Sequence, residues 1–256
     1  MKNNTFTYTL RIADDSLILG QRLAELCGHG PILEEDIALT NISLDLIGQA
    51  TSLFEYAASM RETHNDFPNL VSSDDLAFLR FDRQYANVLL VEQPNGDYAQ
   101  TIARSFFFDA FRVEFYAALA SSKDEQLAAI AEKSLKETKY HYKHSAEWVI
   151  RMGDGTEESN QRITKAVNAL WKYTEELFFM NELDQELISQ GIAVDLNALR
   201  APWLARVQSV FEQATLALPE SKPVHFTGRT GMHTEHLGYI LAEMQYMQRA
   251  YPGMKW

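Results

Sequence analysis

Asp45, Asp109, Glu137 and His141 are the side chains here whose types and spacing could gather around metal ions. A di-iron bundle draws one Glu from each of two helices and a Glu-x-x-His from each of the other two. The x-x spacing works because residues i and i+3 share a helix face. Here the residue three beyond Glu137 is Tyr140, and the histidine falls one position later, at His141. Asp109 lies in line with Ile102, Phe106, Val113 and Tyr116, which predicts that it points inward. From the turn Ser121-Ser122-Lys123-Asp124, Asp109 is about 13 residues back and Glu137 about 14 forward, so the rise per residue predicts similar heights. The same count from a turn near Pro31 makes Asp45 the equivalent of Glu137, with Gly48 where a histidine would stand. Asn41 and Gln49 are its neutral neighbours on the predicted inner face. Where the first helix should offer a glutamate stand Leu17 and Gln21, with Asp14 and Asp15 nearly a turn away.

A two-metal centre needs about four carboxylates and two histidines. Three carboxylates and one displaced histidine leave two metals under-coordinated. The residues alone leave three readings: a satisfied buried polar network, a degenerate single-metal site, or a working di-iron centre. The ligand count favours the first, with Glu137 and His141 as an i,i+4 pair and Asp109 hydrogen-bonded across the hairpin.

Other stretches carry weaker chemistry. His233-Thr234-Glu235-His236 has two histidines three apart that could hold zinc, with His225 the nearest further ligand. The competing reading is a helix start at which Thr234 or Glu235 engages free N–H groups. His29, between two glycines, reads as a loop histidine. Arg80 to Asn87 reads as one helical face on which Arg83, Gln84 and Asn87 could meet a phosphate-bearing ligand or a partner carboxylate; the plain alternative is a solvated face. Phe106-Phe107-Phe108, with Phe111, Phe115 and Tyr116, makes its helix apolar nearly all round. Something must therefore cover it, either the C-terminal helices or another subunit.

No segment alternates at period two, so the fold class is all-α. Two long hairpins form a weak internal repeat, with bundle helices at about 8–28, 34–60, 97–121 and 124–152. Further helices are predicted at about 74–92, 156–180, 195–217 and 234–251, with a polar loop over 61–73. The 256 residues, 46% apolar and 23% charged, fit one globular domain. A net charge of −12 disfavours nucleic acid and anionic membrane. A lone cysteine, Cys27, suits a reducing cytoplasm. The N-terminus opens on no signal-peptide pattern, and no run is long enough to span a membrane.

Several strings across nearly the whole chain carry a resemblance. They are Cys27-Gly28-His29, Leu44-Asp45-Leu46-Ile47-Gly48-Gln49-Ala50, Leu89-Leu90-Val91-Glu92-Gln93-Pro94-Asn95-Gly96, Asp109-Ala110-Phe111, Lys136-Glu137-Thr138-Lys139-Tyr140-His141 and Gly231-Met232-His233-Thr234-Glu235-His236-Leu237-Gly238. With them the chain resembles the C subunits of the multicomponent phenylacetyl-CoA epoxidases (1,2-phenylacetyl-CoA monooxygenases) of bacterial phenylacetate breakdown. The resemblance implies a ferritin-like four-helix bundle with extra C-terminal helices. It also implies a structural, non-catalytic partner for a di-iron catalytic subunit, with no cofactor of its own. NADPH-derived electrons would reach the iron through a reductase subunit. On that reading Asp45, Asp109, Glu137 and His141 are vestigial metal-site positions, and phenylacetyl-CoA could touch the subunit interface. The alternative makes the chain itself a di-iron carboxylate oxidase of the ferritin-like class.

Overall fold

The computed structural model describes residues 2–60, 70–220 and 227–254. Most of the predicted 61–73 loop, and His225, lie outside the described residues. Eleven α-helices and no strand occur among the described residues. The fold class is all-α and ferritin-like, as the sequence predicts. The sequence reads as one domain; the chain divides into two compact units, Met1–Gln93 with Thr227–Trp256, and Pro94–Phe226.

The first unit is built on the hairpin of α1 (Lys2–Ala24) and α2 (Leu33–Ser59). α1 is buried along almost its whole length, through Phe6, Leu10, Ile12, Leu17 and Ile18. Against it α2 sets Leu39, Ile42, Leu46, Leu53 and Phe54. The two backbones meet at Gly20, where a Cβ would stand 3.1 Å from Ile47 Cγ1 and 3.4 Å from the Ser43 carbonyl. Ser43 Oγ donates to the Gly20 carbonyl there at 2.8 Å. In the connecting turn, the Asp36 carboxylate accepts from the N–H groups of Gly28 and Gly30.

The helix predicted over 74–92 is not continuous. It resolves into α3 (Ser73–Phe78), a 3-10 turn at Asp82–Gln84 and α4 (Leu89–Glu92). α3 begins with a capping box between Ser72 and Asp75. The break has a physical cause in α1. Asp14 accepts from the Ala86 N–H and Asp15 from the Val88 N–H, both at 2.9 Å, so these donors serve carboxylates rather than a helix ladder. The predicted 234–251 helix likewise divides, into α10 (Glu235–Met244) and α11 (Tyr246–Ala250). Between them Gln245 turns its amide to the Arg80 carbonyl at 2.8 Å.

The second unit holds the hairpin α5 (Tyr98–Leu119) and α6 (Glu125–Gly153), then α7 (Glu157–Trp171), α8 (Glu182–Ser189) and α9 (Leu196–Gln213). Side chains cap each start: Asp97, Asp124, Thr156, Asn181 and Asp195. The predicted 156–180 helix stops at Trp171 and resumes as a 3-10 turn, Thr174–Phe178. Pro202 sits inside α9 without dividing it.

Of the two covers open to the aromatic run of α5, later helices of the chain supply one. Phe106, Phe107, Phe108, Phe111 and Phe115 are buried against this unit's own helices, so no other subunit is needed to cover them. Phe107 meets Trp171, Trp203 and Phe211 with ring centroids 5.6, 6.4 and 6.2 Å away. Trp203 Nε1 also donates to the Phe107 carbonyl at 3.1 Å. Each fully buried ring contributes about 2–3 kcal/mol from apolar area. No described helix is long and apolar enough to cross a membrane.

Candidate functional site

Asp109 is buried on α5, as predicted, and hydrogen-bonded across the hairpin: Ser145 Oγ donates to its Oδ2 at 2.9 Å. Ser145 lies about two helical turns beyond Glu137 on α6, so the Asp109 carboxyl meets the facing helix beyond the level predicted for it. Antiparallel side chains lean toward opposite ends of the hairpin, which a count of residues from the turn ignores. Burial pushes the Asp109 pKa up to about 7, with the Ser145 hydroxyl and Arg112 pulling the other way. Arg112 itself lies over the Phe108 and Tyr116 rings, its carbon 5.2 and 4.2 Å from their centroids. On α6, His141 is buried and Glu137 half-buried.

In the first unit Asp45 is half-buried and Gln49 buried, but Asn41 is exposed rather than on the inner face. Leu17 is buried and Gln21 half-buried. Asp14 and Asp15 are buried and committed elsewhere. Asp14 pairs with Arg80, and Asp15 pairs with Arg229 at 2.8 Å. Among the described residues, no three His, Cys, Asp or Glu side chains gather so as to hold a metal. Three carboxylates and one histidine, with Gly48 where a second histidine would stand, are too few donors to fit a two-metal centre.

A polar network of the first unit centres on Glu92, which the sequence marks only as part of the Leu89 to Gly96 string. Its buried carboxylate accepts from Asn87 Nδ2 at 2.9 Å, and from the Thr234 N–H at 2.6 Å and hydroxyl at 2.7 Å. His233 Nδ1 lies 2.8 Å from Glu92 Oε2, and Nε2 lies 2.9 Å from the Tyr85 carbonyl. Both partners are acceptors, so both ring nitrogens carry protons. Burial works against that charge, but the Glu92 hydrogen bond and charge outweigh it and raise the His233 pKa above its usual value. In this arrangement both ring nitrogens of His233 face acceptors rather than a metal. Nor does Thr234 cap α10 with its side chain; its hydroxyl is spent on Glu92. Arg22 completes the knot, donating to the backbone carbonyls of Glu92 at 2.9 Å and His236 at 3.1 Å.

Beside it, Asp14 holds the fully buried Arg80. Burial disfavours the guanidinium, yet the adjoining carboxylate keeps its pKa above the ordinary value. The Arg80 carbon lies 4.2 Å from the centre of the Tyr85 ring. Burial also drives the Tyr85 hydroxyl up to about 12, against the opposing charge of Arg80. A signal for these contacts stood in the sequence: two adjacent aspartates inside the apolar run of α1, and a glutamate directly after Leu89-Leu90-Val91.

Arg83, Gln84 and Asn87 do not share one face. Arg83 is exposed beside an open cavity of about 310 Å³, lined also by Asp82, Gly231 and Glu235. Gln84 is half-buried and accepts from the Phe81 N–H at 2.7 Å. Asn87 is fully buried on Glu92, out of reach of a surface ligand. His29 is exposed in its turn, with Nδ1 3.2 Å from the Cys27 carbonyl, and Cys27 is exposed beside it.

Residues 1–256, the whole chain, match the family described as phenylacetic acid catabolic protein. The chain belongs to that family. Within the phenylacetic acid catabolic proteins it is similar to the C subunit of the 1,2-phenylacetyl-CoA epoxidase of Escherichia coli (strain K12). The two are 48% identical over 254 residues, 99% of this chain and all of the relative. Two of the strings that carry the resemblance to this family, Val91 to Gly96 and Gly231 to Gly238, meet physically through Glu92, His233 and Thr234.

Proposed function

We propose that this chain is the structural, non-catalytic subunit of a multicomponent di-iron oxygenase that epoxidises the aromatic ring of phenylacetyl-CoA in phenylacetate catabolism. It pairs with the catalytic subunit and stabilises it, in the cytoplasm. The observation that carries the reading is the ligand deficit: Gly48 stands where a second bundle histidine would be, and Leu17 and Gln21 where the first helix would offer a glutamate. The similarity to the C subunit of an epoxidase over the full length of both chains supports the same reading.

In such a complex the iron belongs to the catalytic subunit, and electrons from NADPH arrive through a reductase. This chain's own residues carry no chemical step. Arg22, Glu92 and His233 tie α1 and α4 to the start of α10. Arg83, exposed at its cavity, is the chain's candidate contact for a coenzyme A phosphate or a partner carboxylate.

The test is reconstitution. The catalytic subunit and reductase are assayed for NADPH-dependent epoxidation of phenylacetyl-CoA with and without this chain. Activity or lifetime of the catalytic subunit that rises with stoichiometric addition of the chain supports the reading. A catalytic subunit indifferent to the chain contradicts it.

A further inference from the structure

The outer face of α2 carries an uncharged strip. Ile37, Asn41, Leu44, Gly48 and Thr51 are all exposed, with Ile37 at 52% and Leu44 at 61%. Their spacing alternates four and three residues, the repeat of a seam that faces another helix. Thr51 satisfies its hydroxyl within its own helix, on the Ile47 carbonyl at 2.9 Å, leaving its methyl as the outward group. The result is an uncharged strip about 21 Å long at the helical rise. It continues to the first residue of α2, Leu33, 70% exposed, and to Ile32 before it, 53% exposed.

Gly48 adds an independent mark. It stands in the middle of a 27-residue helix, and a Cβ there would meet nothing within 4 Å. Nothing in the chain's own packing requires a glycine at that point, although glycine weakens a helix interior. A glycine on an outer helix face lets another backbone approach closely, as at helix crossings that use small residues.

The charges beside the strip select the occupant. α2 carries Glu34, Glu35, Asp36, Asp45 and Glu55 and no Lys or Arg. If a second copy lay antiparallel on the strip, centred on Asp45, Glu35 would face Glu55 and Asp45 would face Asp45. If it lay parallel about a two-fold axis, each acid would face itself. Either pairing sets like charges opposite one another.

We infer that the Ile37–Thr51 face of α2 docks a helix of a different subunit, one with an uncharged seam flanked by Lys or Arg; resting on the function proposed above, that subunit is the di-iron catalytic one. Gly48 is the point of closest approach, and Asn41, the polar group within the seam, sets its register.

The experiment titrates the full-length chain into the purified catalytic subunit by sedimentation velocity. It compares wild type with Leu44→Glu, Gly48→Leu and a control, Tyr239→Glu, at an exposed position on α10. Far-UV circular dichroism and Tm are recorded for each. The expected result is tight wild-type association, a loss of at least tenfold for both α2 variants at unchanged helicity and undiminished Tm, and no loss for the control. Because the wild-type strip is open, Gly48→Ala should raise the Tm of the isolated chain while weakening the complex. Wild-type association retained in both α2 variants would overturn this face and leave the proposed function standing. No association of the wild-type chain would overturn both. A wild-type homodimer dissolved by Leu44→Glu would assign the face to a second copy and overturn the heteromeric occupant.

Discussion

Glu92 and His233 are 141 residues apart in the chain and 2.8 Å apart in the structure, and their contact fastens the start of α10 to α4. Glu92 is fully buried and His233 nearly so. A buried pair of this kind is costly to break from one side only, because the surviving charge has lost both water and partner.

Replacing Glu92 by Ala should therefore destabilise the chain by about 3–5 kcal/mol. The variant loses the imidazolium's partner and the acceptor for Asn87 and Thr234 together. Urea unfolding followed by circular dichroism at neutral pH measures it. A change under about 0.5 kcal/mol, typical of a surface site, would show that the knot does not hold the segment.

The pH dependence of His233 has a definite direction. Its folded pKa is raised above the usual 6.5. Its contribution is then complete below the unfolded-state value and is lost as pH rises through the folded value. The stability gap between wild type and His233→Gln should be widest near pH 6 and narrow on the alkaline side of neutrality. Paired denaturant titrations at pH 6 and 9 read this out, and a gap that widens with pH contradicts the charged assignment.

Asp109 works in the opposite sense from an ordinary salt-bridged carboxylate. With a folded pKa of about 7 against 3.8, the native state holds the proton more tightly than the unfolded chain across that window. Wild-type stability should fall as pH rises from about 4 to about 7, by at most on the order of 1.4 kcal/mol per pH unit. Asp109→Asn should flatten this slope and be relatively more stable at pH 8. The unfolding free energies of the two proteins between pH 4 and 8 give the comparison; parallel profiles would refute the raised pKa.

The aromatic run predicts a division between stability and assembly. Phe107→Ala, at the junction of α5 with Trp171 and Trp203, should cost about 3–5 kcal/mol of stability. At temperatures where the variant remains folded, affinity for the catalytic subunit should be unchanged, since that ring faces the unit's own core. Calorimetric Tm and a binding titration separate the two effects.

Much of this was legible in the sequence. The long hairpins, the buried Asp109 and its bond across to α6 follow from helical periodicity and the satisfaction of buried polar groups. The region 74–92 did not, because its helical pattern is overruled by Asp14 and Asp15, some seventy residues earlier, which claim its backbone N–H groups. Asn87 was misjudged for the same reason: an amide on a supposed outer face is in fact turned inward to a glutamate. His233 and His236 have a spacing that fits zinc, and only the three-dimensional structure places Glu92 and the Tyr85 carbonyl at the ring nitrogens of His233. Local patterns predict elements well; they carry no information about which distant acid will compete for a donor.

The most direct test of the account is iron content. Metal analysis would be run on the isolated chain after expression with excess ferrous iron, and on its complex with the catalytic subunit. The account predicts negligible iron in the isolated chain and, in the complex, iron that tracks the catalytic subunit alone. Two irons per isolated chain, with oxygen consumption lost in Asp109→Ala, would contradict it and make this protein the oxidase.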